Sequence, residues 1–225
     1  MNEAADGLRF RFMGERSVLV ELGDRIEPAT NRRVHRLMRL LEQENWSGVR
    51  ELSPGYRSLL VVFDPLQIDP AELTRRIQAL VGRPAAGKLP PARRITLPVF
   101  YGGEHGPDLP EVARRLGMTE EGVIRLHTSV TYRVYMIGFT PGFPYLGELP
   151  EELALPRRST PRTRVPKGSV AIAQRQTGVY PVESPGGWHL IGWTPVELFH
   201  PDRRPACLLE MGDEVRFAAV DAVED

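Results

Sequence analysis

The chain has 225 residues, 41% hydrophobic and 26% charged, with 29 basic and 29 acidic residues and zero formal net charge. That make-up suits a soluble globular protein of one large domain or two small ones. The balanced charge argues against nucleic acid as a main partner, because phosphate binding usually leaves a basic surplus. Cys207 is the only cysteine, so no internal disulfide is expected. The N-terminus is polar, and no apolar run approaches the roughly 20 residues that span a bilayer. A cytoplasmic location with no membrane partner is the expectation.

Leu8, Phe10 and Phe12 alternate with Arg9 and Arg11, which is strand periodicity. Gly14 allows a turn, and Ser17 to Glu21 resumes a strand. After Pro28 the spacing turns helical, with Val34, Leu37, Met38 and Leu41 on one face and arginines on the other. Val49 to Leu52 and Ser58 to Phe63 read as short strands around Pro54-Gly55. Asp69-Pro70-Ala71-Glu72 opens a helix with a cap, a first-turn proline and a capping box; Leu73, Ile77 and Leu80 form its apolar stripe. This order predicts a small ferredoxin-like α/β domain over residues 1–87, followed by a Pro/Gly/Ala linker at 82–91.

The second portion, 88–225, opens with a strand from Ile95 to Tyr101. Two short helices follow, one with Asp108 and Glu111 as a capping box and Gly117 as its stop, the other starting at Thr119 and reaching His127. From Val130 onward only strand-and-turn patterns appear: through Met136, then Val170 to Ala173, Trp188 to Gly192, Leu208 to Glu210 and Val215 to Val220. Met211-Gly212-Asp213 turns between the last two. Closely spaced strands with few helices predict a closed or nearly closed β-barrel, and an α+β protein as a whole.

The most informative stretch is Tyr132 to Pro195. It carries Gly138-Phe139-Thr140-Pro141-Gly142-Phe143-Pro144-Tyr145-Leu146-Gly147, then Val165-Pro166-Lys167-Gly168-Ser169-Val170 and Gln176-Thr177-Gly178-Val179-Tyr180-Pro181. It closes with Ser184-Pro185-Gly186-Gly187-Trp188-His189-Leu190-Ile191-Gly192-Trp193-Thr194-Pro195. Glycine and proline among aromatics suit sharply turned, well-packed loops, where function is often carried. On these residues the chain resembles the family named for allophanate hydrolase subunit 1. That family includes the B subunit of the bacterial ATP-dependent 5-oxoprolinase and an inhibitor of the sporulation histidine kinase. It is also similar to one half of the carboxyltransferase region of urea carboxylase.

The resemblance implies a cyclophilin-like barrel after the small domain. It also implies a partner of related barrel fold, the C subunit, with the A subunit joining the pair in the 5-oxoprolinase. That complex opens 5-oxo-L-proline to L-glutamate while hydrolysing ATP, so ATP is the implied co-substrate of the assembly. The family also leaves open a binding module for a histidine kinase, or a subunit of a urea carboxylase or allophanate hydrolase system.

A lactam is a poor electrophile, and phosphorylating its oxygen would supply a leaving group. Such a site needs cations or N–H donors for developing negative charge and a general base for water. His127, Lys167 and His189 are the candidate catalytic residues; His189 stands where the family pattern carries glutamine. Gly186 and Gly187, beside Trp188, could bare amides toward an anion, or could be needed for a positive-φ turn. Phe139, Pro141, Gly142 and Phe143 could wall a pocket. Arg157, Arg158, Arg162 and Arg164 could form a positive rim or a solvated face. Gln174 and Gln176 could bond an amide from one side of a continuing strand, and Tyr180 could donate a phenolic hydrogen bond.

The chain has no G-x-x-x-x-G-K-[ST] loop and no G-x-S-x-G elbow. Its five histidines show no metal-ligand spacing, so no metal is indicated. Asp108 to His127 has the form of a helix-turn-helix, but its second helix offers only Arg125 and His127 as cations.

Overall fold

The computed structural model describes residues 7–83 and 92–220. The expected boundary at 87/88 and nearly all of the expected linker lie outside the described residues. The chain divides into two compact units, Met1–Pro91 and Ala92–Asp225.

In the first unit, β1 (Arg9–Phe12) and β2 (Ser17–Glu21) form a hairpin, followed by α1 (Pro28–Glu44), β3 (Val49–Pro54), β4 (Ser58–Phe63) and α2 (Pro70–Gly82). The sheet runs in the order β1-β2-β4-β3, with every pair antiparallel. Strands β2 and β3 are therefore parallel, with β4 between them and α1 as the crossover. This is the split βαβ of a ferredoxin-like sandwich, with its outer strand supplied from the N-terminal side. Val18, Val20, Leu59 and Val61 on the sheet and Val34, Leu37, Leu73 and Ile77 on the helices are all buried. The Asp69 carboxylate accepts the amides of Ala71 and Glu72, as its sequence predicts, while the Glu72 side chain turns to Arg75 and Arg76.

The second unit contains β5 (Arg94–Tyr101), α3 (Leu109–Leu116), α4 (Glu120–Ser129), β6 (Thr131–Ile137), β7 (Pro144–Gly147), β8 (Arg162–Val165), β9 (Ser169–Ala173), β10 (Gln176–Val179), β11 (Ser184–Gly186), β12 (His189–Trp193) and β13 (Glu214–Ala219). Seven strands close a barrel in the order β10-β7-β6-β13-β5-β12-β9, and β8 pairs with β11 outside it. The ladder between β5 and β13 is parallel; the other barrel pairs are antiparallel. Leu97, Tyr132, Leu146, Ile172, Ile191 and Phe217, from six of these strands, share one core with Leu109, Val112 and Val123 of the two helices. That shared core is the barrel interior. Alternate residues such as Ala171, Ala173 and Leu190 face the other way, into a separate cluster.

Three local expectations give way. Leu208 to Glu210 is not a strand; the Asp213 carboxylate accepts the Glu210 amide at 2.7 Å and an Arg93 hydrogen bond at 2.9 Å, fixing a bend there. Asp108 does not cap α3 with its side chain, because its oxygens are taken by arginines. Pro144 to Gly147, read as loop, is barrel strand β7.

Candidate functional site

The signature segments meet on the outer wall of the barrel. Phe143, Val165, Ala171, Ala173, Tyr180, Trp188 and Leu190 form one buried cluster, with Tyr145 packed against it. Phe143 is its centre. Its ring lies edge-on to Tyr145, Tyr180 and Trp188 at centroid distances of 4.9, 5.1 and 5.6 Å, the arrangement aromatic quadrupoles favour. Phe139 stands edge-on to Phe143 at 5.6 Å and is 62% exposed.

The loop that holds these rings is tightly bonded. Gly138 N–H donates to Phe143 O at 3.0 Å, Phe143 N–H to Thr140 O at 3.0 Å, and Thr140 N–H to Gly138 O at 2.9 Å. The last bond closes a γ-turn on Phe139 at φ +67°, a conformation that strains a residue bearing a Cβ. Gly142 has φ +80°, and a Cβ there would lie 2.7 Å from Phe199. Pro141 is exposed between them.

The β8–β11 pair is fastened to the barrel by Asp108, which is 4% exposed. Arg162 bonds both of its oxygens at 2.8 and 2.7 Å, Arg158 bonds one at 2.8 Å, and the Leu190 amide donates at 2.7 Å. Burial disfavours the Asp108 carboxylate, but the hydrogen bonds from Arg162 and Leu190 and the two positive charges outweigh it. Its carboxyl therefore sits below the usual range.

Gly186 lies in β11 without positive φ; its need for glycine is close approach, since a Cβ would stand 2.2 Å from the Tyr180 hydroxyl. Gly187 has neither restriction, and its carbonyl accepts the Arg158 amide at 2.8 Å. Tyr180 is raised in pKa by burial, partly offset by a hydrogen bond from the Trp188 backbone.

The three residues that the sequence offers for catalysis are not brought together. His127 is fully buried inside the barrel, its ring stacked 4.5 Å from Phe217. Its Nδ1 is 2.6 Å from the Tyr101 hydroxyl and its Nε2 is 2.9 Å from Thr177 Oγ1. Thr177 in turn donates to Ala171 O at 3.1 Å. The Thr177 proton is thereby spent, so His127 Nε2–H donates to Thr177 and Nδ1 accepts from Tyr101. Every donor in this row of hydrogen bonds is used once. Burial pushes the imidazole down to about 3, so it is neutral at pH 7. The same burial removes it as a phosphate contact for the helix-turn-helix reading.

His189, 1% exposed, alternates with the cluster residue Leu190 and bonds Pro156 O at 2.9 Å through Nε2. Lys167 is exposed, and its ammonium is held by Glu197 at 2.5 Å, while its carbonyl accepts Trp193 Nε1–H at 2.8 Å. The two glutamines do not share one strand face. Gln174 sits in the β9–β10 turn at φ +55°, and Gln176 begins β10 after that turn.

What sequence reading missed is the role of Asp108 and Tyr145. Asp108 matched a helix cap equally well, and only the fold brings Arg158 and Arg162 to it. Among the described residues, no three His, Cys, Asp or Glu side chains converge to hold a metal ion, and no helix is long and apolar enough to cross a membrane. An open recess along α4, lined by Met118, Gly122, Arg125 and Leu126, includes none of the signature residues.

Comparisons with known proteins agree with this architecture. The family model described as carboxyltransferase domain, subdomain C and D, matches residues 8–209. The chain is 45% identical to the B subunit of 5-oxoprolinase from Escherichia coli O157:H7, covering 93% of this chain and 94% of that one. It is 39% identical to the B subunit of 5-oxoprolinase from Bacillus subtilis strain 168, covering 92% and 91%. Among solved structures, TTHA0988 superposes with a TM-score of 0.82 at 39% identity, covering 93% of this chain. This chain spans only 41% of that solved one. With the match running from the first strand of the small domain to the end of the barrel's signature loops, the chain belongs to the carboxyltransferase domain family, subdomains C and D.

Proposed function

We propose that this chain is the B subunit of an ATP-dependent 5-oxoprolinase, a non-autonomous part of a complex that opens 5-oxo-L-proline to L-glutamate. The observation that carries the reading is end-to-end similarity, at 39–45% identity over nine tenths of both chains, to B subunits from two different bacteria. A shared domain alone would leave much of one partner unmatched. The geometry supports a dependent role: among the described residues, none of the three candidate catalytic groups stands free at the aromatic wall, because His127 and His189 are buried and Lys167 is engaged by Glu197. On this reading, the A and C subunits and ATP supply what the chain lacks, and the outer wall of the barrel contributes binding and positioning.

The test is glutamate formation from 5-oxoproline and ATP by this chain co-expressed with the A and C subunits of its own genome. Glutamate is expected only when all three are present. Glutamate at the full rate without this chain, or an assembled complex that makes none, would overturn the reading; in the second case urea and other small amides are the next substrates to assay.

A further inference from the structure

We propose that Arg157, laid over Trp188, anchors the carboxylate of a small cyclic amide on a shelf formed with Phe139 and Tyr145. The inference rests on the 5-oxoprolinase reading and specifies how this chain would recognise the substrate of that complex.

The cations of the positive rim differ in their partners. Arg158 and Arg162 share the Asp108 carboxylate, Arg164 pairs with Glu183 at 2.6 Å, and Lys167 with Glu197 at 2.5 Å. Arg157, among the described residues, has no carboxylate within ion-pair distance. Of the five rim cations, Arg157 is thus the one without an ion-pair partner among the described residues.

The neighbouring Arg158 amide donates to Gly187 O at 2.8 Å, which ties this stretch of chain to the residue before Trp188. The Arg157 guanidinium carbon then lies 6.0 Å from the Trp188 ring centroid. A guanidinium resting on an indole is partly immobilised while its N–H fork stays open for a planar, bidentate acceptor such as a carboxylate. The Arg157 charge also acts on the Tyr145 and Tyr180 hydroxyls, lowering both against the effect of burial. The cation therefore stands near two phenols.

Phe139 supplies the exposed ring of the shelf. An aromatic ring 62% exposed and held at φ +67° by three backbone hydrogen bonds around its turn contributes little to the core. Strain kept at an exposed residue points to a binding role. Apolar ring faces beside one cation suit a ligand with a single negative charge on a small, largely apolar ring. They do not suit a polyphosphate, which calls for several cations.

The test uses the complete complex, reconstituted from all of its subunits, with Arg157→Gln and Arg157→Lys, after size-exclusion chromatography has established assembly. KM and kcat for 5-oxoproline are measured separately. Loss of a charge-assisted bidentate contact is expected to raise KM on the order of 10- to 100-fold in Arg157→Gln, with kcat changed far less. Arg157→Lys, which keeps the charge and loses the fork, should fall between. An unchanged KM in an assembled Arg157→Gln complex, with active wild type beside it, overturns this proposal and leaves the parent reading intact. Failure of Arg157→Gln to assemble also overturns it and assigns the residue to an interface between subunits. A wild-type complex that makes no glutamate overturns the parent reading, and this proposal with it.

Discussion

Acidification from pH 7 to pH 5 should cost the barrel unit about 2 kcal/mol through His127 alone. The folded imidazole is held down to about 3 by burial, while in the unfolded chain it titrates near 6.5. Between those values the unfolded state binds a proton that the folded state refuses, so stability rises with pH. As pH falls below 6.5, stability drops by about 1.4 kcal/mol per unit, and the drop levels off only near 3. From 6.5 to 5 that is about 2 kcal/mol. The measurement is urea unfolding at pH 7, 6 and 5 in a Trp46→Phe background, so that fluorescence comes from Trp188 and Trp193 in the barrel unit. His127→Gln, which can still donate and accept, removes the titration. Wild type should lose about 2 kcal/mol more than this variant between pH 7 and 5. Equal pH slopes for the two proteins would refute the placement of a neutral His127 between Tyr101 and Thr177.

Asp108→Asn should destabilise the barrel unit by about 3 kcal/mol, since it leaves Arg158 and Arg162 half-buried without their counter-charge; denaturant titration checks this. Because the Asp108 pKa is depressed in the fold, its contribution is present above the ordinary aspartate range near 4 and is lost as pH falls below it. The wild-type minus variant difference should shrink only there. Gly186→Ala drives a Cβ to 2.2 Å from the Tyr180 hydroxyl and should cost about 1–3 kcal/mol by overpacking. Tyr180→Phe should recover part of that loss in a double-mutant cycle. Asp69→Ala removes the two-amide cap of α2 and should lower the stability of the first unit by about 1 kcal/mol, read from its thermal transition.

The elements legible in the sequence are those whose local pattern and tertiary role coincide. Val34, Leu37 and Leu41 mark α1 because one stripe faces the sheet, and Asp69-Pro70 marks α2 because capping is a local act. Strands β8 and β11 are not legible: Arg162–Val165 has one buried residue, and Ser184–Gly186 is three residues around a proline. They exist because they pair with each other outside the barrel. His127 misleads for a related reason. At the end of a helix it resembles a capping or catalytic histidine, and only barrel closure supplies Tyr101 and Thr177, from β5 and β10, as its two partners. The signature loops announce themselves through composition. Their division of labour does not, because one-dimensional spacing cannot say which of five neighbouring cations meets Asp108 and which lies over Trp188.

Strand β13 lies between β5 and β6, in parallel register with β5 from Glu214↔Arg94 to Ala219↔Val99. On the ribosome, then, the barrel cannot close until a strand about 120 residues downstream of its first one has emerged. The small ferredoxin-like unit, whose strands and helices are complete by Gly82, can mature while β5 and β6 wait with unpaired edges. Unpaired edges invite association with other chains. Nascent-chain folding should therefore be two-stepped, and chaperone demand should concentrate in the interval before residues 214–219 are released.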